Sequence, residues 1–251
     1  MSRINLSDEE WMSILAYLKK LLGIYVGQPD ACRQFMSACL WILRSGSQWR
    51  ILPPIHGKWN SVFKRFSRWC TKGVWEKLLS HFSEASDLQD VSIDGSIIRA
   101  HACAAGAANS TAEKEALGRS KGGFGCKIHA LCDALGMPLK FILTGGQEAE
   151  CKQAIPLLEN VNALAALADK AYDTNELRSW LESREIKAVI PPKSNRIEQI
   201  ECDYWHYKER HVIECMFGKL KHYRRVATRY EKKAINYMGM LSFSSVLLWL
   251  R

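Results

Sequence analysis

The stretch Val91-Ser92-Ile93-Asp94-Gly95-Ser96-Ile97 alternates apolar and polar residues. Alternation with a period of two predicts a half-buried β-strand. Asp94 lies in the middle of this strand, between Ile93 and Gly95. A carboxylate buried in such a strand is costly unless it is paired or binds a cation. The stretch therefore predicts the first strand of a sheet and a candidate site on it.

The elements predicted after this strand alternate between strands and helices. A loop rich in Gly, Ala and Ser covers residues 103–120. The predicted strands cover residues 125–132, 139–144, 163–169 and 186–190, and the first two are joined by a hairpin turn. The predicted helices cover residues 151–158, 174–184, 205–223 and 234–249. This order predicts an α/β fold with a mixed sheet and matches that of a ribonuclease-H-like core, although other mixed sheets share it.

Residues 1–83 are predicted to form a small all-helical domain before the sheet. Its first helix begins with a capping box, in which Ser7 and Glu10 satisfy each other's backbone N–H groups. Further helices are predicted over residues 30–44, 58–70 and 74–82. The third helix combines an apolar stripe with four exposed basic residues: Lys64, Arg65, Arg68 and Lys72. The domain resembles a helix-turn-helix module and is predicted to contact DNA, although a solvated helix face can have the same composition.

The composition indicates a globular protein that binds a polyanion. Of the 251 residues 47% are hydrophobic, and the formal net charge is +9. Lys and Arg near phosphates release counterions, so this charge favours nucleic acid as a partner, although a basic protein need not bind it. The nine cysteines include no CxxC pair, which argues against a zinc finger. No signal peptide is recognised before them, so a secreted disulfide framework is not expected. No apolar run is long enough to span a bilayer, so a soluble cytoplasmic protein is expected.

The predicted helix over residues 205–223 carries a polar stripe. Four residues spaced by three, four and seven positions form it: Tyr207, Arg210, Glu214 and Lys221. At about 100° per residue these four side chains share one narrow face, opposite an apolar face. A solvated face with an Arg210–Glu214 pair would have the same pattern. The stripe also offers an acid that Asp94 could approach in space.

Asp94, Asp169 and Glu214 are the candidate metal ligands. Asp169 closes a predicted strand, and α/β sheets place their sites at the carboxyl ends of strands. Carboxylates hold Mg²⁺ or Mn²⁺ through oxygen, and two such ions clamp the attacking and leaving oxygens of an in-line phosphoryl displacement. The two cations of the polar stripe would neutralise the scissile and flanking phosphates, and its tyrosine would position a phosphate or a ligand by a hydrogen bond.

The spacing Tyr-x2-Arg-x3-Glu-x6-Lys over residues 207–221 is similar to the signature of bacterial insertion-sequence transposases with a DDE triad. Further motifs resemble the branch typified by insertion sequence number five: residues 93–96, 99–101, 118–124, 127–130, 168–173, 190–193 and 224–230. Residues 43–50 and 58–69 resemble its helical leader, so the resemblance covers nearly the whole chain. By this resemblance the three acidic positions are Asp94, Asp169 and Glu214, and Arg224 and Arg225 in the last motif are predicted DNA contacts.

The resemblance implies a DNA transposase whose ribonuclease-H-like catalytic domain, residues 84–251, follows the helical leader, residues 1–83. Such a protein binds terminal inverted repeats and target DNA, and it cuts and rejoins strands with two Mg²⁺ or Mn²⁺ ions. Pairing two element ends implies a homodimer or a larger assembly on DNA, located at the bacterial nucleoid. Two alternatives remain open: a metal-dependent DNA endonuclease without strand transfer, and a non-catalytic DNA-binding regulator derived from a transposase.

Overall fold

The computed structural model of the protein describes residues 5–197 and 200–251. The chain divides into two compact units. The helical unit consists of three segments: Met1–Glu84, His101–Ala104 and Leu220–Arg251. The sheet unit consists of two segments: Ala85–Ala100 and Ala105–Lys219. The sequence-based division kept the C-terminal helices with the sheet, whereas the structure packs them with the helices of the leader.

Ten α-helices and six strands make up the regular structure of the described residues. The helices are α1 Asp8–Leu18, α2 Pro29–Ser45, α3 Trp59–Thr71, α4 Val74–Phe82, α5 Ala154–Leu158, α6 Asn175–Glu182, α7 Tyr204–Tyr207, α8 His211–Lys221, α9 Arg224–Ala227 and α10 Ala234–Trp249. The strands are β1 Asp90–Arg99, β2 Gly118–Ser120, β3 Gly123–Cys132, β4 Pro138–Gly145, β5 Ala165–Leu167 and β6 Lys187–Val189. Within the same residues, no helix is both long and apolar enough to cross a membrane.

The start of α1 confirms the predicted capping box. The Ser7 N–H donates to Glu10 Oε2 at 2.8 Å, and the Glu10 N–H donates to Ser7 Oγ at 3.1 Å. These reciprocal bonds satisfy two N–H groups that the helix itself leaves unpaired. The leader helices predicted over residues 30–44, 58–70 and 74–82 are likewise present as α2, α3 and α4.

The core of the helical unit is built around α10. This helix is apolar almost all round, with most of its residues buried, and it contacts α3 and α4. The rings of Trp75 and Phe243 approach to 4.8 Å between centroids, and Phe66 lies 5.6 Å from Trp75. Gly239 allows this close packing, because a Cβ there would lie 2.5 Å from Cys70 Sγ. A helix buried on every side must be covered by its neighbours, and α10 is covered by the leader.

The sheet is mixed, as predicted. Its strands follow the order β2-β3-β1-β5-β6, and β4 pairs with β3. β3 is antiparallel to β1, β2 and β4, while β5 is parallel to both β1 and β6. The strands β1, β4 and β5 therefore run in one direction, and their carboxyl ends lie at the same edge of the sheet.

Two predicted elements differ in the structure. The predicted loop over residues 103–120 ends in the short strand β2, which pairs with the start of β3. The helix predicted over residues 205–223 is divided into α7 and α8 by the 3-10 turn Lys208–Arg210. A 3-10 turn advances by about 120° per residue instead of 100°, so the polar stripe is rotated locally between Tyr207 and Glu214.

Replacing Gly239 by alanine is expected to lower the free energy of unfolding. The new Cβ would meet Cys70 Sγ at 2.5 Å and Trp75 Cδ1 at 3.0 Å, and overpacking of this kind costs about 1–3 kcal/mol. Gly218→Ala in α8 is the matched control, since a Cβ there meets nothing within 4 Å. The free energy of unfolding of this control should rise by about 0.5–1 kcal/mol, because alanine has a higher helix propensity than glycine. Urea unfolding of both variants tests the prediction, and equal stabilities would contradict it.

Candidate active site

Two aspartates meet because of strand register. In the parallel pair of β1 and β5, Ser92 is the partner of Leu167. Asp94 lies two residues further along β1, and Asp169 lies two residues beyond the end of β5. The Asp169 carboxylate accepts the Ala171 N–H at 2.8 Å, which caps the 3-10 turn Lys170–Tyr172. The pairing of the strands therefore brings the two predicted acids side by side.

A third acid, Glu150, completes a compact cluster. It begins the 3-10 turn Glu150–Gln153 after β4. Ligand oxygens of Asp94, Glu150 and Asp169 all lie within 4.8 Å of one another. The sequence prediction did not include Glu150. The feature that could have identified Glu150 is its position soon after β4, a strand that runs in the same direction as β1. The direction of β4 is known only when the β3–β4 hairpin is placed in the sheet.

Asp94 lies in a strongly negative environment. Burial raises the pKa of its carboxyl above the ordinary value, and the charges of Glu150 and Asp169 raise the pKa further. The Gly95 N–H, which donates to Asp94 Oδ1 at 2.7 Å, acts in the opposite direction, as does Arg210. A carboxylate placed among other carboxylates is stabilised by any cation that binds there.

Arg210 connects Asp94 with the third predicted acid. Its Nη1 donates to Asp94 Oδ2 at 3.3 Å, and its Nη2 donates to Glu214 Oε1. The Arg210 guanidinium therefore lies between Glu214 and Asp94, and the Glu214 side chain is 59% exposed. Within the described residues, Glu214 belongs to no group of three acids as compact as the one around Asp94.

The two remaining residues of the stripe have different environments. Tyr207 packs against the apolar cluster formed by β5 and β6, and its ring lies 5.8 Å from the Arg210 guanidinium carbon. It therefore supports the arginine that contacts both carboxylates. Lys221 is exposed at the last residue of α8.

The basic residues predicted on α3 line a groove in the helical unit. Its volume is about 420 Å³, and its lining residues are Ile24, Tyr25, Ser61, Lys64, Arg65, Arg68, Trp69 and Lys72. Lys64, Arg68 and Lys72 are exposed as predicted, and Lys72 Nζ donates to the Gly23 carbonyl at 2.6 Å. The groove therefore combines cations with aromatic rings on one surface.

Arg65 and Arg225 are engaged inside the helical unit. Arg65 was predicted to be exposed, and this is wrong: its guanidinium donates to the Val26 carbonyl at 2.9 Å and lies 4.3 Å from the centre of the Phe35 ring. Arg225 is only 5% exposed, pairs with Glu231 at 2.7 Å and donates to the Ser47 carbonyl at 2.8 Å. A buried, paired guanidinium cannot reach phosphate, so Arg225 is a structural residue. Its neighbour Arg224 is exposed.

The acidic cluster has the chemistry of a divalent-cation site. Its three members supply hard oxygen donors within 4.8 Å of one another, and Mg²⁺ and Mn²⁺ prefer such ligands. The Tyr172 hydroxyl is buried and makes no hydrogen bond within the described part of the chain. The carboxylates of all three acids raise the pKa of Tyr172, after the larger effect of burial. The hydroxyl thus lies in the field of the cluster.

Comparison with known proteins agrees with this geometry. Residues 85–248 match the family model described as "Transposase DDE domain", and residues 6–79 match "Putative transposase of IS4/5 family". A Brucella ovis protein named "Putative transposase for insertion sequence element IS6501" is 41% identical over 128 residues, which make up 50% of this chain and 98% of the relative. A Burkholderia cepacia protein named "Putative transposase for insertion sequence element IS402" is 29% identical over 136 residues, 49% of this chain and 62% of the relative.

A solved structure shares the fold. The piggyBac transposase synaptic complex with hairpin DNA superimposes with a TM-score of 0.54 at 11% identity, over 97% of this chain and 72% of that one. This likeness supports a ribonuclease-H-like arrangement of the sheet. The match of the DDE domain spans residues 85–248, well over half of the chain. The protein therefore belongs to the DDE transposase family.

Proposed function

We propose that this transposase binds the terminal inverted repeats of a mobile element and cuts and rejoins DNA strands by in-line phosphoryl transfer. One observation carries the proposal: Asp94 on β1 and Asp169, just beyond the end of the adjacent parallel strand β5, belong to a cluster of carboxylates whose ligand oxygens lie within 4.8 Å of one another. Arg210 links this cluster to Glu214. The DDE family uses divalent metal, and the cluster offers the oxygen ligands that such an ion needs.

In this proposal Asp94, Asp169 and Glu214 hold the metal. The metal is Mg²⁺ or Mn²⁺, and two ions are bound. When bound, such ions activate the attacking water or 3′-hydroxyl and stabilise the leaving 3′-oxygen. Arg210 keeps Asp94 and Glu214 at a fixed separation, because one guanidinium contacts both carboxylates. Its other N–H groups can donate to a phosphate oxygen. Tyr207 packs beneath this arginine and limits its movement.

Lys221 is proposed to supply a positive charge to the DNA phosphate. It follows Glu214 by seven residues, which is close to two turns of helix and brings both side chains to one face of α8. The exposed ammonium is a point charge suited to phosphate.

Double-stranded DNA is the proposed partner of the groove on α3. Lys64 and Arg68 are exposed there and have no ion-pair partner among the described residues. Arg224 adds an exposed cation to the helical unit. The piggyBac structure is a complex with hairpin DNA, and we propose DNA ends as the ligand here as well. Pairing two ends of an element favours a homodimer or a larger assembly on DNA.

Asp94→Asn and Asp169→Asn are expected to reduce metal-dependent cleavage of an inverted-repeat duplex by roughly 100-fold or more, because each removes a charged metal ligand. Glu182→Gln is the matched control, since Glu182 is an exposed acid at the end of α6, and it should cleave within about twofold of the native protein. Gel analysis of cut and joined products provides the measurement. Cleavage without joined products would indicate an endonuclease, and bound DNA that is never cut would indicate a regulator.

The double variant Lys64→Glu/Arg68→Glu is expected to weaken binding of the same duplex and to flatten its salt dependence. Two phosphate contacts contribute about 1.8 to the slope of log K against log salt. Lys20→Glu/Lys77→Glu makes the same change in charge at exposed positions outside the groove. Fluorescence anisotropy at several salt concentrations compares the two. If both double variants bind equally well, the DNA surface lies away from this groove.

A further inference from the structure

We propose that Glu150 is a ligand of the metal centre together with Asp94 and Asp169, as a fourth acid beside the predicted triad. The inference rests on the metal-dependent chemistry proposed above and adds to it a residue that sequence spacing did not indicate. It stands on four features of the sheet unit: the cluster distances, the space at Gly95, the balance of charge, and an unpaired hydroxyl.

The cluster around Asp94 includes Glu150 and excludes Glu214. Oxygens of Asp94, Glu150 and Asp169 lie within 4.8 Å of one another, close to the roughly 4.2 Å that separates two opposite ligands of one ion with oxygen–metal distances near 2.1 Å. Glu214, in contrast, is held by Arg210 and is largely exposed. Glu150 is therefore already at the site, whereas Glu214 is adjacent to it.

Gly95 provides the space that Glu150 occupies. A Cβ at this position would lie 2.7 Å from Glu150 Cγ and 2.8 Å from Glu150 Oε1. The φ angle of Gly95 is not positive, so the backbone conformation does not require glycine at this position. A glycine next to Asp94 thus lets the Glu150 carboxylate lie against β1, beside the two aspartates.

Acids at the site form ion pairs with two basic residues. Four carboxylates are gathered here: Asp94, Glu150, Asp169 and Glu214. The cations in contact with them, among the described residues, are Arg210 and the nearly buried Lys127. Lys127 Nζ lies 3.2 Å from Glu150 Oε1 and donates to the Glu148 carbonyl at 2.7 Å. A divalent ion would add positive charge among the carboxylates of Asp94, Glu150 and Asp169.

Tyr172 supplies an independent sign of a missing partner. Its side chain is fully buried, and its hydroxyl makes no hydrogen bond within the described residues. The turn that contains Tyr172 contacts the turn that begins with Glu150, so the hydroxyl belongs to the same region of the sheet unit as the acidic cluster. A buried hydroxyl without a partner is costly. An oxygen atom held at the metal centre would accept a hydrogen bond from this hydroxyl and remove that cost.

The test is the Mn²⁺ affinity of the full chain without DNA, measured by isothermal titration calorimetry. Glu150→Gln keeps the shape of the side chain but removes its charge, and it should weaken binding at least tenfold. Gly95→Ala should weaken it as well, because the new methyl group displaces the Glu150 carboxylate from Asp94. Glu148, two residues away, forms an ion pair with exposed Lys152. The Glu148→Gln variant should bind Mn²⁺ within about twofold of the native protein.

The outcomes separate this inference from the proposed function. Native Mn²⁺ affinity in both Glu150→Gln and Gly95→Ala, with weaker binding in Asp94→Asn, would overturn the role of Glu150 and leave the predicted triad intact. Glu150 would then be only the counter-ion of Lys127, and its loss would lower the melting temperature without changing metal affinity. Native affinity in Asp94→Asn as well would instead overturn the metal-dependent function. If Glu150→Gln does not fold, Gly95→Ala decides the question, since it retains the Glu150–Lys127 pair of charges.

Discussion

The parallel pairing of β5 with β1 is the constraint on which the candidate site depends. Its register sets Asp94 and Asp169 side by side, because each lies two residues beyond the paired residues Ser92 and Leu167. A shift of one residue would turn the β5 side chains to the opposite face of the sheet. Every residue of β5 is buried, so such a shift would also disturb the core. Packing of the strand therefore protects the geometry of the two acids.

Gathering acids around the partly buried Asp94 has an electrostatic cost, and two basic residues offset part of it. Arg210, in the turn between α7 and α8, contacts Asp94 and Glu214, and Lys127 on β3 contacts Glu150. These cations come from separate elements, so the protein can hold the acids together before an ion binds. The cluster presents the carboxylate oxygens that divalent cations prefer as ligands.

In the helical unit, packing decides what each arginine does. Arg65 and Arg225 bond to backbone carbonyls and contact aromatic rings, so they stabilise the unit. Lys64 and Arg68 remain exposed beside the groove and are available to phosphate. All four are basic residues in a basic protein, and their sequence positions alone do not distinguish a cation that binds DNA from one that supports the core.

The sequence by itself determined the elements and two of the acids. Alternation predicted β1, helical periodicity predicted α2 and α3, and capping chemistry predicted the start of α1, because these signals act over a few neighbouring residues. Asp94 and Asp169 were found because an acid within or at the end of an apolar strand is unusual. Tertiary structure alone decided that Glu150 joins them, that Arg225 is buried, and that α10 packs with the leader. Those outcomes depend on strand direction, register and helix packing between residues far apart in the chain, which no local pattern encodes.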